Sequence, residues 1–248
     1  MSKVAALVLA AGGSRRFADP HYKKPFVPLL NRAVWLHSVD RFLSRDEVAQ
    51  VIVVIAKEDH EEFMRKFGAE LAFMDVELCL GGAERGDSVR AGLAKVREEI
   101  DLVAIHDAAR PCVSDQEIDR VVEAASDSGA AILASPVTST LKRTEPDGDR
   151  TVIAETVPRD SVWMAQTPQV FSRKLIRQAH EGASGDETDD AQLVEKLGQR
   201  VQVVEGSVLN IKLTTKSDLK LAETILKARP RPKPDGVAHP FADDDLWR

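Results

Sequence analysis

Val4-Ala-Ala-Leu-Val-Leu-Ala-Ala-Gly-Gly-Ser-Arg-Arg-Phe17 is the stretch on which the fold turns. Val4 to Ala11 is apolar without interruption, so it reads as a buried strand with both faces covered, most simply a parallel one. Gly12-Gly13-Ser14 ends it abruptly. Small residues there let the backbone turn tightly and bring its N–H groups close to a ligand. Arg15, Arg16 and then Lys24 put fixed positive charge beside that turn. A strand, a small-residue turn and a cluster of cations together make a place for phosphates. The spacing is neither G-x-G-x-x-G nor the P-loop pattern, which counts against dinucleotide enzymes and P-loop phosphotransferases.

Outward from this stretch, strand and helix patterns alternate. Ala33 to Leu43 carries Val34, Leu36, Val39 and Phe42 on one helical face, and Val51 to Ile55 is a β-branched strand. A charged helix spans Glu58 to Lys66, and a third strand, Val76 to Leu80, ends in Gly81-Gly82. A helix from Asp87 to Glu99 precedes a fourth strand, Leu102 to Ile105, which runs into His106-Asp-Ala-Ala-Arg-Pro111. Ser114 with Glu117 forms a capping box for a helix to about Ala125, and Ala130 to Ser135 is a fifth strand. This alternation predicts a doubly wound α/β fold, a Rossmann-like, mostly parallel sheet flanked by helices. Ligands of such sheets sit at the carboxyl ends of the strands. The first turn, Gly81-Gly82 and Asp107 to Arg110 all fall there.

The rhythm breaks between Pro136 and Arg159. Two β-prone runs flank the turn sequence Pro146-Asp-Gly-Asp149, giving a projecting hairpin with few large apolar residues. A lone hairpin is only marginally stable, so it packs on a second subunit or is a mobile flap. Trp163 to Gln166 reads as a short strand followed by Thr167-Pro-Gln169. Helices are expected over Lys174–Glu181, Asp190–Leu197 (capped by Thr188 or Asp189) and Ser217–Arg229. Short strands are expected over Val201–Val204 and Leu209–Lys212. Residues 1–229 then form one domain. The proline-rich segment 230–248 reads as a disordered or docked tail.

Bulk properties narrow the classes. The chain of 248 residues has 34 basic and 40 acidic side chains, a net charge of −6, which argues against a broad nucleic-acid surface. No apolar run approaches the roughly 20 residues that span a membrane, and Met1-Ser-Lys leaves no room for a signal peptide. Cys79 and Cys112 lack metal-ligand spacing and read as reduced thiols of a cytoplasmic protein. The six histidines form no metal-binding pair.

If the first loop holds a nucleoside triphosphate, transfer needs cations where charge builds on phosphorus oxygens, and a divalent metal near a carboxylate. Arg16 and Lys24 can supply the charge. Asp107 is the best carboxylate for the metal; a buried Asp capping the turn to Arg110 is the structural alternative. Arg110, Arg159 and Lys212 can face further anionic groups.

Ala10-Ala-Gly-Gly-Ser-Arg-Arg16 with Lys24, Gly81-Gly-Ala-Glu-Arg-Gly-Asp-Ser88, His106-Asp-Ala-Ala-Arg-Pro111, Thr167-Pro-Gln169 and Asn210-Ile-Lys212 together resemble the 2-C-methyl-D-erythritol 4-phosphate cytidylyltransferase family, over about Val4 to Lys227. The resemblance implies a nucleotide-diphospho-sugar-transferase type of fold with a β-arm. It implies in-line attack of the alcohol phosphate on the α-phosphorus of CTP, with Mg²⁺ or another divalent cation. It casts Arg16 and Lys24 as transition-state cations, and Ala10, Ala11, Gly12, Gly13, Ser14, Arg15, Gly82 and Ser88 as the CTP site. Asp107 falls by the metal and the substrate hydroxyls, Arg110 by the substrate, and Thr167 and Lys212 by the alcohol phosphate. Thr140 and Arg159 would cross from the other subunit of a homodimer. Ala83 stands where members of the family often carry an acidic residue. A sister enzyme acting on a pentitol phosphate such as ribitol 5-phosphate is the neighbouring alternative, and a non-catalytic nucleotide sensor a more distant one.

Overall fold

The computed structural model describes residues 2–12, 26–183 and 187–229. Its first strand, β1 (Val4–Leu9), is covered on both sides. Val4, Ala6 and Val8 join one apolar cluster, and Ala5 and Leu7 the opposite one. Successive strand residues face opposite ways, so a strand sandwiched between helices must be apolar at every position. Each fully buried Val or Leu there contributes about 1.5–3 kcal/mol.

A small hairpin follows, β2 (Pro28–Leu29) and β3 (Arg32–Ala33), then α1 (Val34–Leu43), β4 (Val48–Ile55), α2 (His60–Phe73) and β5 (Glu77–Leu80). Next come α3 (Arg85–Leu93), β6 (Leu102–Asp107), α4 (Asp115–Ser128) and β7 (Ala130–Pro136). Among the described residues the strands β8 (Leu141–Asp147) and β9 (Arg150–Val157) pair only with each other. The chain closes with β10 (Trp163–Ser172), α5 (Arg173–Glu181), α6 (Asp190–Lys196), β11 (Gln202–Glu205) and α7 (Lys216–Ala228). Among the described residues the main sheet has seven strands in the order β11-β7-β10-β6-β1-β4-β5. Only β10 runs antiparallel to its neighbours. The mixed, mostly parallel sheet agrees with the α/β expectation.

The β8–β9 pair realises the expected hairpin within narrower bounds than 136–159. Its two-residue loop starts at Gly148, whose φ of 58° is the positive value that such loops require. Most of its side chains are exposed, Ile153 among them. The tail 230–248 lies outside the described residues.

Four element boundaries differ from expectation. The helix expected over Asp87–Glu99 is α3, which stops at Leu93. The buried Gln50 side chain accepts from the Arg97 amide at 3.0 Å and donates to the Lys95 carbonyl at 2.9 Å. Those backbone groups are thereby diverted into a turn. The charged helix expected to end at Lys66 runs on as α2 to Phe73, since Ala69-Glu-Leu-Ala72 are helix formers. The short strand at Trp163 is the front of the ten-residue β10, which passes through a cis Thr167–Pro168 bond and an irregularity in its pairing with β7. Leu209–Lys212 is a loop, not a strand. The Asn210 amide donates to the Thr167 carbonyl at 3.0 Å and to Gln166 Oε1 at 3.2 Å, side-chain bonds that take the place of a ladder.

The predicted capping box opens α4: Glu117 Oε2 accepts from the Ser114 amide at 2.8 Å, and Ser114 Oγ accepts from the Glu117 amide at 3.3 Å. Gly129, at φ 81°, stops the helix. Glu117 does more than cap. Its Oε1 accepts from the Ser207 amide at 2.6 Å and so fastens the loop that leads to Lys212. Glu117→Ala should cost about 2–4 kcal/mol, a lost cap plus a buried amide left unpaired. Glu117→Gln, which keeps one acceptor for Ser207, should cost clearly less. Urea denaturation of both variants checks this, and equal losses would contradict the dual role.

Candidate functional site

Parallel pairing sets Leu9 beside Asp107, and the Ala108 amide then donates to the Leu9 carbonyl at 3.0 Å. The end of β1 and the end of β6 thus share one sheet edge. The Gly81 amide extends that edge by donating to the Ile55 carbonyl at 2.7 Å. A Cβ at Gly81 would come within 2.5 Å of Ser88 Oγ and 3.2 Å of Ala11, and one at Gly82 within 2.3 Å of Asp87 Cβ. The absence of side chains at 81 and 82 lets this loop lie on the first turn of α3 and against Ala11. Ser88 is buried there, its hydroxyl donating to the Glu84 carbonyl at 3.2 Å, while Ala83 is exposed. Ala10, Ala11 and Gly12 lie at this edge. Gly13, Ser14, Arg15, Arg16 and Lys24 lie outside the described residues.

A cavity of about 220 Å³ opens beside Asp107, lined in part by Arg85, Arg110, Thr167, Gln169 and Lys212. Lys212 Nζ sits 2.5 Å from Asp107 Oδ2, and Arg85 Nε lies 3.9 Å from Oδ1. Burial works to raise the pKa of Asp107. Lys212, then Arg85 and Arg110, outweigh it and hold the carboxyl below its ordinary value. The turn from Asp107 to Arg110 is closed by the Asp107 backbone carbonyl, at 2.9 Å from the Arg110 amide. The carboxylate is thereby left to face the cavity, which removes the capping alternative.

Arg110 braces the wall. Its Nη1 donates to the Asn210 carbonyl at 2.7 Å and its Nη2 reaches the Ala165 carbonyl at 3.4 Å. Thr167 Oγ1 accepts from the Asp107 amide at 3.0 Å and lies 3.1 Å from His106 Nδ1. The Thr167 hydroxyl proton therefore suits His106 Nδ1 as acceptor, and Nε2 donates to the Arg110 carbonyl at 3.2 Å. Four expected residues, Asp107, Arg110, Thr167 and Lys212, are thus brought together from three separate segments. Thr140 and Arg159 are not: both are exposed at the base of the hairpin, where Arg159 donates to the Thr138 carbonyl, and neither lines the cavity.

Residue patterning passed over Arg85, Gln169 and Asp190. Arg85 sits inside the Gly81–Ser88 motif and was available to it. Of the two expected caps, Thr188 and Asp189, it is Asp189 that accepts from the Gln192 amide, at 3.0 Å. It also accepts from Gln169 Nε2 at 2.9 Å, while Gln169 Oε1 accepts from the Ala191 amide at 3.1 Å. This exchange ties α6 to β10 across twenty or more residues, and no local pattern announces it.

Burial pulls the pKa of His106 down to about 4, with Asp107 opposing and Arg110 assisting. The unfolded imidazole titrates near 6.5, so the native chain requires it neutral. The contribution is complete above about pH 6.5 and is lost as pH falls toward 4. At pH 5 the loss should amount to about 2 kcal/mol. Urea unfolding in metal-free buffer at pH 7 and pH 5 should show this loss in the parent and not in His106→Asn. An identical decline in both would contradict it.

Known proteins resemble this chain over nearly its whole length. A curated 2-C-methyl-D-erythritol 4-phosphate cytidylyltransferase of Rhodopirellula baltica is 40% identical over 237 residues, covering 91% of this chain and 95% of its own. That of Shouchella clausii is 44% identical over 229 residues, covering 91% and 97%. The crystal structure of the Thermus thermophilus enzyme of the same name superposes with a TM-score of 0.71 at 33% identity, over 92% of this chain and all of that one. The family model for 2-C-methyl-D-erythritol 4-phosphate cytidylyltransferase matches residues 4–228, and the chain belongs to that family.

Proposed function

We propose that the chain transfers the cytidylyl group of CTP to 2-C-methyl-D-erythritol 4-phosphate, releasing pyrophosphate and forming 4-diphosphocytidyl-2-C-methyl-D-erythritol. The observation that carries this is Lys212 at 2.5 Å from Asp107, with Arg110 and Thr167 beside them, on the sheet edge that also carries Ala10–Gly12 and Gly81–Gly82. One wall of that edge is small-residue backbone suited to a triphosphate; the other is charged and hydroxylated, suited to a polyol phosphate. The family match does not favour the pentitol-phosphate alternative.

In the reaction a phosphate oxygen of the alcohol attacks the α-phosphorus of CTP. A new P–O bond forms as the α–β bridging bond breaks, and its electron pair leaves with pyrophosphate. Charge accumulates on the α-phosphoryl oxygens, which is where cations help most. Arg16 and Lys24 take that role in this reading. Lys212 and Thr167 hold the alcohol phosphate; Asp107 accepts hydrogen bonds from the polyol hydroxyls, with Arg110 alongside. Gly82 and Ser88 form the base pocket with Ala10 to Arg15.

A divalent cation, Mg²⁺ for preference, fits this donor set in one way. Among the described residues no three His, Cys, Asp or Glu side chains gather as a cage. Asp107 alone would hold the ion, with nucleotide phosphates completing its shell, as is usual for Mg²⁺. Such an ion supplies charge neutralisation along the triphosphate.

The homodimer reading rests on the hairpin, whose strands are largely exposed and, among the described residues, pair only with each other. In a dimer it would bring Thr140 and Arg159 to the neighbouring site. The cytoplasmic reading rests on Cys79 and Cys112, both unpaired and buried. Among the described residues no helix is long and apolar enough to cross a membrane.

Pyrophosphate release with CTP and a panel of alcohol phosphates tests the activity. The methylerythritol phosphate should exceed ribitol 5-phosphate in kcat/KM by on the order of tenfold or more. Preference for the pentitol would overturn the substrate. Lys212→Ala should raise KM for the alcohol phosphate about tenfold or more while moving KM for CTP little. An unchanged KM would remove Lys212 from the substrate site.

A further inference from the structure

Arg85 stands between two carboxylates. Its Nη2 lies 2.6 Å from Asp190 Oδ2 and its Nε 3.9 Å from Asp107 Oδ1. Asp190 is 1% exposed, and its other oxygen lies 3.0 Å from Nε2 of the buried His180. Nδ1 of His180 has no hydrogen-bond partner, so the proton belongs on Nε2, directed at Asp190. Asp190 is thereby spent on both oxygens and fixed at the start of α6. It is a rigid anchor for Arg85, whose guanidinium is partly exposed to the cavity.

The far side of Asp107 is different. Lys212 makes the shorter contact, yet its side chain is 43% exposed and its loop belongs to no strand. One carboxylate therefore has a tight but movable cation and a looser but anchored one. An arriving phosphate dianion competes with Asp107 for Lys212. If Lys212 leaves, the nearly buried Asp107 loses its nearest side-chain cation, a costly state unless another cation of the chain stays beside it; Arg110, the third cation near it, is bonded to the Asn210 and Ala165 carbonyls.

We propose that Arg85 is a positioning residue of the transfer site: anchored by the Asp190–His180 pair, it stays with Asp107 as counter-ion and so frees Lys212 to move to the substrate phosphate. The inference rests on the reading of Lys212 as the alcohol-phosphate ligand. Arg85 itself touches neither the reacting phosphorus nor the leaving group in this scheme. It acts through the release of Lys212.

The consequence is a specific coupling. Removing Arg85 makes Asp107 hold Lys212 more tightly, so binding of the alcohol phosphate weakens. Removing Lys212 abolishes the competition, and Arg85 then has nothing to release. Arg85→Gln should raise KM for the alcohol phosphate about tenfold and leave KM for CTP within about twofold. Arg85→Lys should recover part of the loss by restoring the charge. In the Lys212→Ala background, Arg85→Gln should change KM less than about twofold, the non-additivity expected of residues that act on one step. Calorimetric titration of the alcohol phosphate onto each variant, loaded with a non-reacting CTP analogue, should give Kd values that follow the same cycle.

Multiplying single effects in the double variant would mean a structural role and would overturn the proposal, as would an unchanged Kd in Arg85→Gln. Should Arg85→Gln prove unfolded by circular dichroism, the cycle is run with His180→Gln. That variant loosens the anchor without stripping the charge, and it should raise KM for the alcohol phosphate severalfold only when Lys212 is present; an equal rise without Lys212 would overturn the proposal. Absence of turnover by the parent chain would refute the proposed activity instead, so the two failures are distinguishable.

Discussion

The parallel pairing of β1 with β6 is the constraint on which the site depends. Both strands are apolar on both faces, so neither can slip by a residue without moving a whole side-chain set to the wrong cluster. With the register held, Leu9 and Asp107 end together. The turn after β1 and the carboxylate after β6 then face the same solvent. A carboxylate at the end of a buried strand has little water to solvate it, and its surroundings must compensate.

They do so with cations from three places: Lys212 after β11, Arg85 on α3 and Arg110 on the turn after β6 itself. Several of the segments that wall the cavity are fastened by buried polar side chains. Glu117 and Gln166 bind the backbone of Ser207, Asn210 binds that of Thr167, and Gln169 binds that of Ala191. A network of this kind is rigid when satisfied and costly when broken, because its members have no water to fall back on. The neutral His106 belongs to it, joining Thr167 to the Arg110 carbonyl. Charge at the cavity is thus mounted on a scaffold of buried polar side chains bonded to backbone.

Much of this was readable along the chain. The two-faced run at Val4, the β-branched run at Val51, the Ser114–Glu117 box and the Pro146–Asp149 turn depend on neighbours a few residues away, and they formed where expected. Asp107 and Arg110 also fall where expected, since strand ends of a doubly wound sheet share an edge; Thr167, inside the antiparallel β10, reaches them through the pairing of β10 with β6. Two boundaries differ because a distant side chain intervenes. Gln50 ends α3 early from a strand some 45 residues back. Asn210 holds as a loop a stretch that, by its own β-propensity, reads as a strand.

What the amino-acid order determined by itself is the alternation of elements, the buried first strand and the small-residue turns, because these follow from local propensity and from which faces must be apolar. Tertiary structure alone decided the charge pattern of the cavity. Arg85 and Asp190 are 105 residues apart, and Lys212 and Asp107 a similar distance. No spacing rule joins residues so remote. Their pairing exists only because the sheet order sets β10 between β6 and β7, bringing the start of α6 and the loop after β11 up to the end of β6. The partner of each cation is chosen by the fold.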